Sequence, residues 1–205
     1  YEEAVMQYRQ AIKINPHFAA VHNNLGVTLN ELNRYDEAIK SFQQAIKIKS
    51  DYAEAYNNLA NGLRQKGEVK QAIVYYYKAV RLKGDYAEPH FNLGILLSQQ
   101  GRDEEAVTQY RRALQIKPDF ILAHDNLASL LSRQGDLEGA VAHYQQAINL
   151  DPGFSKAHNN LGSALAGQGR FEEAVIHFEQ AININPGYRD AQKNLDLARS
   201  FVGKK

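Results

Sequence analysis

The sequence predicts an all-α fold, a right-handed α-solenoid made of 34-residue helix–turn–helix units. Three observations predict it. An Asn-Leu pair recurs at Asn24-Leu25, Asn58-Leu59, Asn92-Leu93, Asn126-Leu127, Asn160-Leu161 and Asn194-Leu195, always 34 residues on and without insertion. A fixed period of roughly 20–50 residues marks a repeat array, in which each unit buries its surface mainly against its neighbours. Each period holds two stretches whose apolar residues fall three and four apart, one face of a helix, and each closes on an aromatic: Phe18, Tyr52, Tyr86, Phe120, Phe154 or Tyr188.

Residues 1–18 form a half repeat. Ala4, Tyr8 and Ala11 share one helical face, and Pro16 ends it because proline cannot continue a helix. The segment reads as a second helix whose first helix is absent. An exposed apolar edge at Val5 and Tyr8 is the expected result, and with it a possible homo-oligomer through the N-terminal edge. Five full repeats follow at 19–52, 53–86, 87–120, 121–154 and 155–188. In residues 87–120, His90, Leu93, Gly94 and Leu97 make the first stripe, and Ala106, Tyr110, Ala113 and Ile116 the second. Gly101 between them has the place of a left-handed helix stop, shared by Gly67, Gly135 and Gly169. Asn33 holds that place in the first repeat, and asparagine also tolerates the conformation. Asp51 with Glu54, and Asp85 with Glu88, have capping-box spacing. The closing aromatics are expected as packing plugs between repeats.

Small residues recur on both helices, Gly26, Ala60, Gly94, Ala128 and Gly162 on the first and Ala38, Ala72, Ala106, Ala140 and Ala174 on the second. They predict a close helix–helix seam with large residues such as Phe42 and Tyr76 filling beside it. The tail, 189–205, begins like another first helix, with Ala191 and Leu195, but carries Gln192 and Asp196 where a core would continue. That composition suits a terminal cap facing water.

The pattern Leu93-Gly94, Gly101, Ala106, Tyr110, Ala113 and Pro118 resembles the tetratricopeptide repeat, a 34-residue helix–turn–helix unit. The resemblance covers essentially the whole chain. One departure is that the family's early tryptophan is replaced by His22, Tyr56, His90, His124 and His158. The resemblance implies a superhelix whose first helices line a concave groove, and a non-catalytic scaffold that binds protein or extended peptide there.

The totals narrow the partner class. A net charge of +1 over 205 residues argues against nucleic acid or an anionic membrane as the default partner. The absence of cysteine removes disulfides, thiolate metal sites and cysteine nucleophiles. No apolar run approaches the ~20 residues that span a bilayer, and no signal peptide precedes the pattern, so no direct membrane insertion is expected and the cytoplasm is the favoured compartment. The chain opens on Tyr1 in mid-pattern and reads as a piece of a longer protein.

The groove candidates are the asparagines Asn24, Asn58, Asn92, Asn126, Asn160 and Asn194. Asparagine is about 0.7 kcal/mol worse than alanine in a helix, so its repeated use needs an offset, and its amide offers donors and an acceptor. Helices packed about 8–10 Å apart would present one amide to about every third residue of an extended peptide advancing about 3.3 Å per residue. Such a ladder reads a backbone. The alternative is that the amides bond across neighbouring helices. The ladder resembles the superhelical repeat region of the O-linked N-acetylglucosamine transferases, in which such asparagines hold the substrate peptide. A second reading of the chain is therefore the substrate-recognition arm of a larger glycosyltransferase, of that kind or a membrane glycosyltransferase with a repeat tail. A third is a self-assembly module. Flanking candidates are Asn57, Asn61, Arg64, Phe91, Asp125, Ser129, Arg133, Lys156 and Asn159. The carboxylate clamp of chaperone-binding repeat domains lacks its basic residues here. The surface offers Asn57, Asn61, Asn92, Leu122 and Asn126 instead.

The histidines at one position in different repeats are too far apart to share a Zn²⁺, which binds nitrogen at about 2.0–2.1 Å. They read as core fillers, with His143 and His177 likewise one per repeat, and no metal or other cofactor is implied. No nucleophile, base and orienting group come together, and no phosphate loop is present, so no catalytic residue is assigned. Tyr75 and Tyr77 flank the core residue Tyr76. They form either a contact patch on the convex side or a half-buried layer against neighbouring helices.

Overall fold

The structure, a computed structural model, describes residues 1–203. These form twelve α-helices: α1 (Glu2–Ile14), α2 (Ala19–Glu31), α3 (Tyr35–Ile48), α4 (Ala53–Gln65), α5 (Val69–Leu82), α6 (Ala87–Gln99), α7 (Asp103–Ile116), α8 (Ile121–Arg133), α9 (Leu137–Leu150), α10 (Ser155–Gly167), α11 (Phe171–Ile184) and α12 (Arg189–Arg199). No strand occurs among the described residues. The fold is an all-α repeat of the α-solenoid class.

The turn inside each repeat is set by one backbone position. Asn33 (φ 58°), Gly67 (85°), Gly101 (72°), Gly135 (84°) and Gly169 (76°) all take the left-handed conformation. The next residue's N–H then reaches back to a carbonyl five residues earlier. Examples are Arg34 to Leu29 at 2.9 Å, Glu68 to Leu63 at 2.8 Å and Asp136 to Leu131 at 2.9 Å. This closes the orphan carbonyls of the first helix. Helix starts are less elaborate than the capping-box spacing suggested. Tyr52 occupies the N-cap of α4 with no side-chain cap bond. Asp51 lies one residue too early, and Glu54 pairs with Lys83 Nζ at 3.0 Å. Asp136, by contrast, does cap α9, accepting from the Gly139 N–H at 2.9 Å.

Two compact units divide the chain, residues 1–96 and 97–205. In the first, α1 packs on α2, α2 on α3, α3 on α4 and α4 on α5, and α2 also touches α4. Its core holds Val5, Leu29, Phe42, Leu59 and Tyr76, each at most 1 % exposed. In the second, each helix from α7 to α12 packs on the next, and α10 touches both α8 and α12. Its core includes Leu127, Leu130, Leu161 and Phe178.

The small-residue seam is real. A Cβ on Gly26 would lie 2.5–2.9 Å from the Phe42 ring, and one on Gly162 would lie 2.7–3.0 Å from Phe178. Only a bare backbone lets these rings come this close to the first helix. The helical alanines 38, 72, 106, 140 and 174 are fully buried.

Two expectations need correction. Val5 is not at an exposed edge: it is 1 % exposed, covered within the α1–α2 contact. The exposed apolar residues of this end are Tyr1, Met6, Ile14 and Phe18. Phe18 is therefore no plug. Tyr52, Tyr86, Phe120, Phe154 and Tyr188, by contrast, are half-buried, with the Tyr86 hydroxyl bonded to Asn57 and the Tyr188 hydroxyl to Asn159. At the other end, α12 buries Ala191, Leu195 and Ala198 and leaves Leu197 exposed, and Phe201 stacks on Phe171 at 4.9 Å between ring centroids.

Candidate functional site

The ladder residues sit in mid-helix on the first helices, one position before the buried Leu25-type stripe. Asn24 is exposed, and Asn58, Asn92, Asn126, Asn160 and Asn194 are half-buried. Four of them bond backwards by one period. Asn58 Nδ2 donates to Asn23 Oδ1 at 3.0 Å, and Asn92 Nδ2 to Asn61 Oδ1 at 3.3 Å. Asn160 Nδ2 donates to Asp125 Oδ1 at 3.3 Å, and Asn194 Nδ2 to Asn159 Oδ1 at 3.0 Å. Asn126 meets the Tyr110 hydroxyl. A shorter step joins neighbours within a helix: Asn57 Nδ2 to Asn58 Oδ1 at 3.4 Å and Asn159 Nδ2 to Asn160 Oδ1 at 3.3 Å. The amides therefore do tie helices together. They also keep capacity in reserve. An amide carries two N–H donors and an oxygen with two lone pairs. At Asn58 and Asn160 the ladder uses one donor and one lone pair, leaving one of each on a half-exposed side chain.

The residues before three of the ladder asparagines, Asn23, Asp125 and Asn159, accept the backward bonds of Asn58, Asn160 and Asn194. Asn23, Asn57, Asp125 and Asn159 are all buried. Asp125, 1 % exposed, is held by Asn160 and by Lys156 Nζ at 2.8 Å. Phe91 replaces this acceptor in the third repeat and is half-buried. Asn92 turns to Asn61, which also accepts from the Tyr76 hydroxyl at 2.5 Å. Asn57 Oδ1 is left buried without a partner, as are Asn30 Oδ1 and Arg64 Nε in the same unit. Arg133 is exposed and reaches Ser98 Oγ at 3.1 Å and Asp103 at 3.0 Å. Ser129 is exposed on α8, near the Tyr144 hydroxyl.

Burial shapes the tyrosines behind the ladder. Tyr76 and Tyr144 are each pushed up to about 12 by desolvation. Both hydroxyls stay neutral donors at ordinary pH. Tyr75 and Tyr77 are half-buried and also line a cleft of 450 Å³ with Tyr56, Val74, Lys78 and Arg81. Tyr56 stacks on Tyr75 at 6.2 Å.

Sequence reasoning missed one constellation. His124 Nδ1 lies 2.9 Å from His143 Nδ1, and His158 Nδ1 lies 3.3 Å from His177 Nδ1. The first helix of a repeat brings one ring and the second helix the other. The signal is a 19-residue spacing, repeated 34 residues on, which a comparison of equivalent positions between repeats passes over. Among the described residues no cluster of three or more His, Asp or Glu side chains is placed to hold a metal ion, and no helix is long and apolar enough to cross a membrane.

Paired helices in a 34-residue period define a helical-repeat protein of the α-solenoid class. Family models agree. Models described as tetratricopeptide repeat match residues 51–119 and 155–188, and a TPR repeat model matches residues 1–32, 28–63 and 130–169. The chain belongs to the tetratricopeptide repeat family. A comparison with curated protein sequences finds no match. Among solved structures, the chain is similar to YrrB, described as a TPR protein with an unusual peptide-binding site (24 % identity, 91 % of this chain, 96 % of that one, TM-score 0.76). It is similar to the MamA protein (23 % identity, 82 % of this chain, 92 % of that one, TM-score 0.73). It also resembles a chain of the Cut9–Hcn1 hetero-tetramer of the APC/C (19 % identity, 97 % of this chain, 40 % of that one, TM-score 0.74). At these identities the likeness is one of fold.

Proposed function

We propose that the chain is a non-catalytic scaffold that binds extended peptide or an unfolded segment of a partner protein along its ladder faces. The observation that carries this reading is the reserve valence of the ladder. A peptide group needs one donor and one acceptor, and Asn58 and Asn160 each hold one of both outside the protein's own bonds. Inter-helix bonding fixes each amide in place, so little rotamer entropy remains to be lost on binding. Amides are uncharged and address the backbone, while Phe91, Arg64 and the Asp125–Lys156 pair differ between repeats and select side chains. The peptide-binding site described for YrrB, which shares this fold, supports the same reading.

The test is affinity capture with an unstructured peptide library, comparing wild type with a variant carrying alanine at Asn58, Asn92, Asn126 and Asn160. Circular dichroism and melting monitor the fold. Loss of capture with helicity retained supports the ladder as the site. Retention of the same peptides sinks it and leaves the amides a structural role. The exposed Tyr1, Met6 and Ile14 of α1 favour a second reading, association through that end. Sedimentation over a concentration series, repeated with Met6→Glu, tests it, and a concentration-independent monomer would end that reading.

A further inference from the structure

The paired histidines of the second unit serve no part of the ladder. They lie on α8–α9 and α10–α11, and the first ring of each pair is held at its outer nitrogen. His124 Nε2 sits 3.0 Å from Pro118 O, and His158 Nε2 sits 3.3 Å from Pro152 O. A carbonyl only accepts, so each Nε2 carries the hydrogen and each Nδ1 presents a lone pair to the facing ring. Proteins orient metal-ligating imidazoles in this way, with one nitrogen donating to a backbone carbonyl and the other turned toward the metal.

The two pairs differ in the distance that matters. Tetrahedral Zn²⁺ with Zn–N bonds of about 2.0–2.1 Å holds two nitrogens about 3.3–3.4 Å apart. His158 and His177 already stand 3.3 Å apart. His124 and His143, at 2.9 Å, have hydrogen-bond spacing. Charge separates them in the same direction. Arg111 acts on His143 with repelling positive charge ahead of the attraction of Asp136. His177 has the Glu173 carboxylate nearby, itself paired with Arg170 at 2.6 Å.

We propose that His158 and His177 form a binding site for a divalent transition-metal cation of the imidazole-preferring class, Zn²⁺, Ni²⁺ or Cu²⁺. In the metal-free pair, His177 Nδ1–H donates to His158 Nδ1. When the cation enters, that hydrogen leaves Nδ1 and the outward His177 Nε2 takes one up, so both neutral rings offer lone pairs and no net proton is released. The rings meet nearly head-on, with centroids 5.5 Å apart. Two nitrogens on one tetrahedral Zn²⁺ need each ring tilted about 35° off the line that joins them, so the half-exposed His177 ring has to turn as the cation enters. The protein supplies two ligands and water fills the rest, so binding is weaker than at a closed four-ligand site. The bound cation staples α10 to α11.

Calorimetric titration of the untagged chain with Zn²⁺, with the histidine ring signals followed by NMR, tests the proposal. A single Zn²⁺ per chain is expected, moving the His158 and His177 signals, lost in His177→Ala and kept in His143→Ala. His177→Phe, which preserves ring volume, repeats the measurement if the alanine variant loses helicity. No binding up to millimolar Zn²⁺, binding that survives both His177 variants, or a site removed by His143→Ala would each overturn it.

Discussion

Asn58 donates its side-chain amide to Asn23 Oδ1 across 3.0 Å and so joins α4 to α2, 35 residues apart in sequence. Asn23 is 6 % exposed, so removing the donor leaves a buried acceptor unsatisfied, which costs about 1–3 kcal/mol. Alanine's better helix propensity returns about 0.7 kcal/mol. Asn58→Ala is therefore expected to destabilise by about 0.3–2.3 kcal/mol, a fall in melting temperature of about 2–4 °C per kcal/mol. Asn24→Ala is the contrast. Asn24 is exposed and its contact with Asn23 is a long 3.5 Å, so no loss of stability is expected.

Gly26→Ala should also destabilise, against the helix-propensity gain of about 1 kcal/mol that the change brings. The added methyl would meet three Phe42 ring atoms at 2.5–2.9 Å, and overpacking costs about 1–3 kcal/mol. Phe42→Leu should cost less in the Gly26→Ala background than it does alone, because the clashing ring is gone. Denaturant midpoints of the two single variants and the double variant measure this. Additive effects would show that the ring moves aside freely. Ala106→Leu, at a fully buried seam position, should cost a similar amount.

Gly135→Ala tests the turn. Nothing lies within 4 Å of a Cβ there, but φ is 84°. The cost is conformational, about 1–2 kcal/mol. Gly135→Asn should cost less, since Asn33 adopts φ 58° at the equivalent place. Equal losses in the two variants, read from thermal melts, would contradict this account.

Stability should fall at alkaline pH. Tyr76 and Tyr144 are raised from 10.0 to about 12 in the fold. The unfolded chain releases these protons near pH 10 while the folded chain keeps them, so the contribution is full below pH 10 and is lost as pH rises toward 12. Urea midpoints at about pH 9 and 11 should differ, and Tyr76→Phe should shrink the difference. That variant also loses the bond to Asn61, worth about 0.5–1.5 kcal/mol at neutral pH.

The period made the fold legible before any geometry. Leu59, Ala60 and Gly67 recur in register, and each does locally what its residue type dictates. The N-caps were misread at Asp51 because two residue types at the right spacing do not fix which residue leaves the helix. The asparagines were legible as a ladder but not as a network. Sequence spacing gives the period of Asn58 and Asn92. It does not say that Asn58 turns to Asn23, 35 residues before it, while Asn92 turns to Asn61 and leaves Asn57 Oδ1, at the equivalent place, without a partner. The histidine pairs stayed hidden for a related reason: a 19-residue offset becomes a contact only once both helices of a repeat are folded against each other.

The backward bonds of Asn58, Asn160 and Asn194 all run the same way along the chain. Each amide gives its hydrogen to the period before it and none to the period after. Such a track has a sense, like the nap of a fabric. A peptide main chain has one too, with its N–H and C=O groups ordered from end to end. On the proposed reading, a peptide and the same sequence written in reverse would meet the reserve donor and acceptor of Asn58 and of Asn160 in opposite order, a difference that involves no side chain of the ligand.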